Sequence, residues 1–217
     1  MTTLNRPDFR GSAVPPPDVR VLDGVPPGAE EAVARLYWTA FALKFRPGLG
    51  DAEHGVPVLR EALASDRLSC AIGPDGTVLG VLGHHRAGRG AIDLRYQTLL
   101  RHFSPWSAPW RALLLLPLHR EARPGELLLD GIAVDPVARG RGLGTRLLAH
   151  AVELARQDGL RWVRLGVVDT NPRARALYER CGFVAERTQE VSPLGALYGF
   201  RSVTEMTLEL SEQGEGT

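Results

Sequence analysis

The 217-residue chain suits one domain of about 150 to 180 ordered residues with short tails, long enough to bury most of the surface its unfolded form exposes. Its formal net charge is +1 and its arginines are spread along it, so nothing in it calls for nucleic acid or an anionic membrane as partner. Two cysteines are too few for a disulfide framework, no signal-peptide pattern opens the chain, and the apolar run at 113–116 stops at Pro117, short of the about 20 residues that cross a bilayer. A soluble protein of the cytoplasm is expected.

Residues 1–17, rich in proline, and 211–217, polar throughout, read as tails around one domain at 18–210. A strand is expected at 19–22, then a helix over 28–44 with Val33, Leu36, Tyr37, Ala40, Phe41 and Lys44 at helical spacing. A Gly/Pro loop at 47–50 precedes a second helix at 56–64. Strands at 68–72 and 77–83 flank Gly73-Pro74-Asp75-Gly76, a hairpin turn. The fourth strand, 126–134, stops at Asp135-Pro136, because proline removes a ladder donor. A helix at 142–157 ends at Gly159. A strand at 162–168 alternates Val163, Leu165 and Val167 with Arg164 and Gly166. Asn171 then caps a helix with Pro172 in its first turn that runs to Gly182, and strands at 183–191 and 203–210 finish the chain. This order is that of an α/β (α+β three-layer) protein, a mixed central sheet flanked by helices.

Between the fourth strand and its following helix stands Arg139-Gly140-Arg141-Gly142-Leu143-Gly144. Glycines let the backbone turn sharply and approach a ligand, and the first amides of the helix lack intrahelical acceptors while its dipole adds partial positive charge. That combination binds anions, and a pyrophosphate fits. A dinucleotide fingerprint would need Gly-x-Gly-x-x-Gly, whereas these glycines give Gly-x-Gly-x-Gly; a Walker-type loop would end in Gly-Lys-Ser/Thr, which the chain lacks. A Gly/Arg surface turn that binds nothing is the plain alternative.

About thirty residues on comes Asp169-Thr170-Asn171-Pro172-Arg173-Ala174-Arg175-Ala176-Leu177-Tyr178-Glu179-Arg180-Cys181-Gly182-Phe183. This pair of segments resembles the GNAT superfamily of N-acetyltransferases, which bind acetyl-CoA, and the order of elements is also that of the GNAT fold. The resemblance implies that amides of Gly140, Arg141, Gly142, Leu143, Gly144 and Thr145 hold the pyrophosphate, with Arg139 and Arg141 adding charge and Asn171 and Arg173 standing at the cleft. It further implies that the backbone of Ile132, Ala133 and Val134 pairs with the pantetheine arm, with the acetyl oxygen near the Ile132 amide. Tyr178 matches the family's general acid, with a packed tyrosine as the alternative. The minimal family plan has a short turn between strands three and four. Here 86–124 intervenes, with helical spacing at 94–103 and 106–118, and reads as a helical insertion with a core of its own. Its Trp106 and Trp110 stand to line an acceptor pocket, to cover a sheet edge or to form a homodimer contact.

The base is less determined. Glu126, Leu128 and Asp130 share one face of the fourth strand, and family members often place a carboxylate there to deprotonate the incoming ammonium. Asp130 is the first choice and Glu126 the second, with a structural aspartate as the alternative; His84-His85 are a third option, although paired histidines of this kind are usually surface residues. No His-Glu-x-x-His or Cys/His spacing argues for a metal, and Cys181 reads as core. The expected function is acetyl-CoA-dependent acetylation of a primary amine on a small molecule or peptide. The alternatives are a non-catalytic acyl-CoA-binding module, or transfer of another acyl group or to an oxygen acceptor.

Overall fold

The structure, a computed structural model, describes residues 18–116, 120–191 and 195–210. The expected tails and the end of the helical stretch at 106–118 therefore lie outside the described residues. Seven strands form one mixed sheet: β1 (Arg20–Asp23), β2 (Leu68–Ile72), β3 (Val78–His84), β4 (Glu126–Val134), β5 (Trp162–Val168), β6 (Val184–Glu190) and β7 (Ser202–Glu209), in spatial order β1-β2-β3-β4-β5-β7-β6. All neighbours run antiparallel except β4 and β5.

Because side chains alternate along a strand, each strand feeds two apolar layers. Leu127, Leu129, Val163, Leu165 and Val167 pack under α5 (Leu143–Gln157), which contributes Leu143, Leu147, Leu148, Ala151 and Val152, and under α6 (Pro172–Arg180). On the other face Leu68, Cys70, Ile72 and Val81 meet α1 (Glu30–Leu49) and α2 (Ala52–Ala62). The three-layer architecture expected from the sequence is the one observed.

Two helix boundaries differ from expectation. Instead of a loop at 47–50, α1 continues through Pro47 to Leu49, bent at Phe41 where φ is −124° and ψ 16°. Tertiary contact overrides the local breakers there: Phe45 and Leu49 are buried, and Arg111 donates to the Gly48 carbonyl at 2.7 Å. The second helix starts at Ala52, four residues earlier than expected, because the Asp51 carboxylate caps it by accepting from the His54 amide at 3.1 Å.

Residues 86–124 do contain helices, α3 (Tyr96–His102) and α4 (Ala108–Leu115). They have no separate core, contrary to the sequence reading. Leu99, Ala108 and Leu115 join the same cluster as α1 and α2, so the insertion thickens the layer that already covers that face. A last short helix, α7 (Gly195–Tyr198), is tied to it through the Tyr198 hydroxyl, which donates to the Leu114 carbonyl at 2.5 Å.

Candidate active site

Parallel pairing of β4 with β5 holds for three rungs only: Glu126 with Trp162, Leu127 with Val163 and Leu128 with Arg164. Beyond them the strands separate. Residues Gly131, Ile132, Ala133 and Val134 still pair with β3, while their other edge faces the gap. The separation coincides with a bulge, since Gly83 pairs with Gly131 but His84 with Leu129, which leaves Asp130 as the extra residue.

At the far end of the gap the chain turns through Gly140 and Gly142, with φ of 76° and 74°, a left-handed conformation that glycine adopts without steric cost. Gly142 is the N-cap of α5 and no side chain caps that helix. The amides of Leu143, Gly144 and Thr145 therefore point out of the helix start without intrahelical acceptors, the requirement for gripping an anion such as a pyrophosphate. Arg141 is exposed, and Arg139 turns back so that its Nε donates to the Val134 carbonyl at 3.2 Å. Across the gap the Asn171 Oδ1 accepts from the Ala174 amide at 3.1 Å, capping α6 as its spacing implied, while Arg173 is exposed.

Tyr178, two turns into α6, is buried against Phe183, ring centroids 6.0 Å apart. Burial raises its phenol to about 12, with the Cys181 thiol adding to the effect, so it is protonated at neutral pH. Cys181 itself is buried, as read from the sequence.

The other end of the gap is lined by ionisable groups. Asp130 Oδ1 lies 2.7 Å from His85 Nε2, and Oδ2 accepts from the Ala91 amide at 2.5 Å. Burial pushes the Asp130 carboxyl up, but the His85 hydrogen bond and charge, the Ala91 amide and Arg120 outweigh it and hold it below the usual carboxylate range. The two histidines are not surface residues: His84 is 6% and His85 8% exposed. The bulge and strand alternation send them to different places. His84 lines a separate cavity of about 530 Å³ with Asp23, Ser65 and Asp158, whereas His85 joins Asp130.

Glu126 has another job. Arg164 Nε donates to both of its oxygens at 2.9 Å and Nη2 to Oε1 at 2.5 Å, and the Arg123 amide donates to Oε1 at 2.7 Å. Both side chains are buried, and the pair locks the three-rung end of β4 to β5. Removing one partner of such a pair costs about 3–5 kcal/mol, which marks Glu126 as structural.

Trp106, in the turn before α4, is 94% exposed, and Trp110, beside Leu113 on the outward side of α4, is 59% exposed, so these tryptophans do not line the gap. Other residues do. Phe41 packs on Gly131 so closely that a Cβ there would lie 2.3 Å from its Cζ. Tyr37 packs against Phe41 in a tilted arrangement with centroids 4.8 Å apart, and Lys44 Nζ lies 5.3 Å over the Phe41 ring. Arg120, the insertion's actual contribution, covers Gly166 on β5, where a Cβ would sit 2.9 Å from its Nη1. Sequence reading gave Tyr37, Phe41 and Lys44 only a shared helical spacing on the first helix; a lysine in an otherwise apolar series was the available signal. Among the described residues no group of three or more His, Cys, Asp or Glu side chains is placed to hold a metal ion, and no helix is long and apolar enough to cross a membrane.

The mixed α/β sheet is thus split between parallel strands four and five, with a glycine-lined helix start at one end of the gap. A family model, Acetyltransferase (GNAT) family, matches residues 31–183, and the chain belongs to that family. Over 61 residues it is 38% identical to glucosamine 6-phosphate N-acetyltransferase 1 of Oryza sativa subsp. japonica, covering 28% of this chain and 35% of that one. Over 63 residues it is 48% identical to mycothiol acetyltransferase of Beutenbergia cavernae, 29% of this chain and 20% of the relative. The chain thus spans about a third or less of these relatives' length. Among solved structures it is similar to an N-acetyltransferase from Staphylococcus aureus Mu50, with a TM-score of 0.62 at 15% identity over 87% of this chain and 100% of the other. A GCN5-related N-acetyltransferase from Kribbella flavida gives 0.56 at 20% identity over 89% and 98%. At these identities the structures speak to the fold.

Proposed function

We propose that this protein transfers the acetyl group of acetyl-CoA to a primary amine of a small molecule or peptide by direct attack on the thioester. The observation that carries the reading is the cleft itself: an uncapped α5 start at one end and an ionised, half-buried carboxylate at the other, with the unpaired edge of β4 from Gly131 to Val134 between them. Acetyl-CoA, the family's co-substrate, fits this frame. Amides of residues 140–145 would take its pyrophosphate, aided by Arg139, Arg141 and Arg173, and the free edge of Ile132, Ala133 and Val134 its pantetheine arm, with Asn171 and Tyr178 on the opposite wall.

In this scheme the Asp130–His85 pair draws in the acceptor ammonium and accepts one proton from it. The freed lone pair forms the new C–N bond at the acetyl carbon while the Ile132 amide donates to the carbonyl oxygen as charge builds there. As the C–S bond breaks, the electron pair leaves on sulfur and the Tyr178 phenol supplies its proton; one of the two protons left on nitrogen passes through the cleft to restore the phenol, the other stays in the amide, and the Asp130–His85 pair gives its proton to solvent. Glu126 takes no part, being filled by Arg164.

Tyr178→Phe tests the scheme. With an acetylated amine in hand, kcat at the chemical step should fall by about 10- to 10⁴-fold while CoA affinity stays within a few fold. A retained kcat makes the tyrosine structural. CoA binding without thiol release from any amine points to a non-catalytic acyl-CoA-binding module, and release with a longer thioester or an alcohol corrects the acyl group or the acceptor.

A further inference from the structure

Tyr37, Phe41 and Lys44 follow one another at helical spacing on α1, and this stripe meets β4 at Gly131, beside Asp130. From the opposite side Arg120 reaches over Gly166 of β5. Gly131 and Gly166 are both just past the last rung that joins β4 to β5, so two cations, on two separate elements, arrive at the mouth of the same split.

A cation drawn out of water ordinarily has a carboxylate to itself. Here each neighbouring carboxylate is engaged elsewhere. Asp130 uses one oxygen for His85 and the other for Ala91, and Glu126 is taken by Arg164 and the Arg123 amide. Glu205 accepts from Arg164 Nη1 and from Arg123 Nη2, both at 3.1 Å, and its nearest approach to Arg120 is 3.8 Å, beyond hydrogen-bond reach. Lys44 Nζ has the Phe41 ring beside it and the attraction of the Asp130 charge at longer range, with neither a hydrogen bond nor an ion pair among the described residues. Repulsion from Arg120 adds to burial in bringing this lysine down to about 8. The buried Tyr37 hydroxyl is a third donor without a partner; burial and the Asp130 charge keep it protonated.

We propose that Lys44 and Arg120 form an anion subsite in the acceptor pocket, so that the acceptor is an amine bearing an oxyanion, either a carboxylate or a phosphate. The inference rests on the acetyl-transfer reading. Asp130 would hold the ammonium and the two cations the anion, and such two-point binding fixes which way the nitrogen lone pair faces.

The test is calorimetric titration of the CoA-saturated protein with matched pairs: amino acids against their decarboxylated amines, and glucosamine 6-phosphate against glucosamine. In at least one pair the anionic member should bind about 10- to 100-fold more tightly, the worth of a charge-assisted hydrogen bond or two. The pair that shows it tells carboxylate from phosphate. Lys44→Met and Arg120→Met should each remove most of that preference, and Lys44→Arg and Arg120→Lys should keep part of it, while CoA raises the melting temperature of all four variants as it does that of the parent. No anionic preference in any pair, or equal losses for both members of a pair in the Met variants, overturns the subsite. Thiol release in the same samples separates the two readings: anion-dependent binding without release keeps the subsite and sinks acetyl transfer, and release from uncharged amines alone does the reverse.

Discussion

The two ends of the cleft are made of different material. Around 140–145 the proposed grip is backbone, amides at a helix start presented by left-handed glycines, with Arg141 and Arg173 exposed at the margin. Around Asp130, apart from the Ala91 amide, the lining is side chain: His85 from beyond β3, the Tyr37, Phe41 and Lys44 stripe from α1, and Arg120 from the insertion. A backbone site depends on conformation at a few consecutive residues, so one fold can keep it while its helices change. A side-chain site depends on which helix face meets which strand, and it is the part free to differ between family members with different acceptors.

If that division holds, substitutions at the two ends should separate cleanly. The largest effect belongs to Asp130→Asn, which keeps the shape but removes the proton acceptor; kcat/KM should fall by about 10²- to 10⁴-fold in a thiol-release assay with CoA affinity intact. A parallel loss of CoA binding would show the two ends to be coupled. Next comes Gly142→Val, which forces a β-branched residue to a φ of 74°, costing about 1–2 kcal/mol, and raises the Kd for CoA about tenfold or more by titration, while the acceptor end is untouched. Unchanged CoA affinity would remove the helix start from the site.

The smallest effect is on stability. Lys44 is lowered from 10.5 to about 8 when folded, so below pH 8 its buried charge is a cost, and stability recovers as pH rises from about 8 to 10.5, where the unfolded chain binds the extra proton. Lys44→Met should therefore melt higher than the parent at pH 7, with the gap closing across that window. A gap that stays constant with pH would mean that Lys44 carries no such cost.

The same division explains what could be read from the sequence. Gly140, Gly142, the Asn171 cap and the element order were legible because each is a matter of neighbours in the chain. Glu126 and Asp130 could not be told apart, since both lie on one face of one strand; Arg164, 38 residues on, claims Glu126, and His85, 45 residues back, joins Asp130. Trp106 and Trp110 read as one helix face, yet the helix begins only at Ala108, which leaves Trp106 in the turn before it, and spacing cannot say that Trp110 looks outward. Arg120 belongs to no periodic pattern, and only its position over Gly166 singles it out. At 47–50 proline and glycine announced a loop, yet packing against Leu115 and Arg111 holds 47–49 as helix.

The brevity of the β4–β5 ladder has a mechanical consequence. Only three residue pairs form the strand ladder at the seam between the sheet's β1–β2–β3–β4 half and its β5–β7–β6 half, helped at the same end by the Glu126–Arg164 ion pair and by the Arg161 and Trp162 amides on the Gly125 carbonyl. An amide-bearing arm laid along Ile132, Ala133 and Val134 would supply the rungs the seam lacks. The co-substrate would then act as a splint as well as a reagent, closing the gap in the hydrogen-bonded sheet each time it binds and reopening it when it departs.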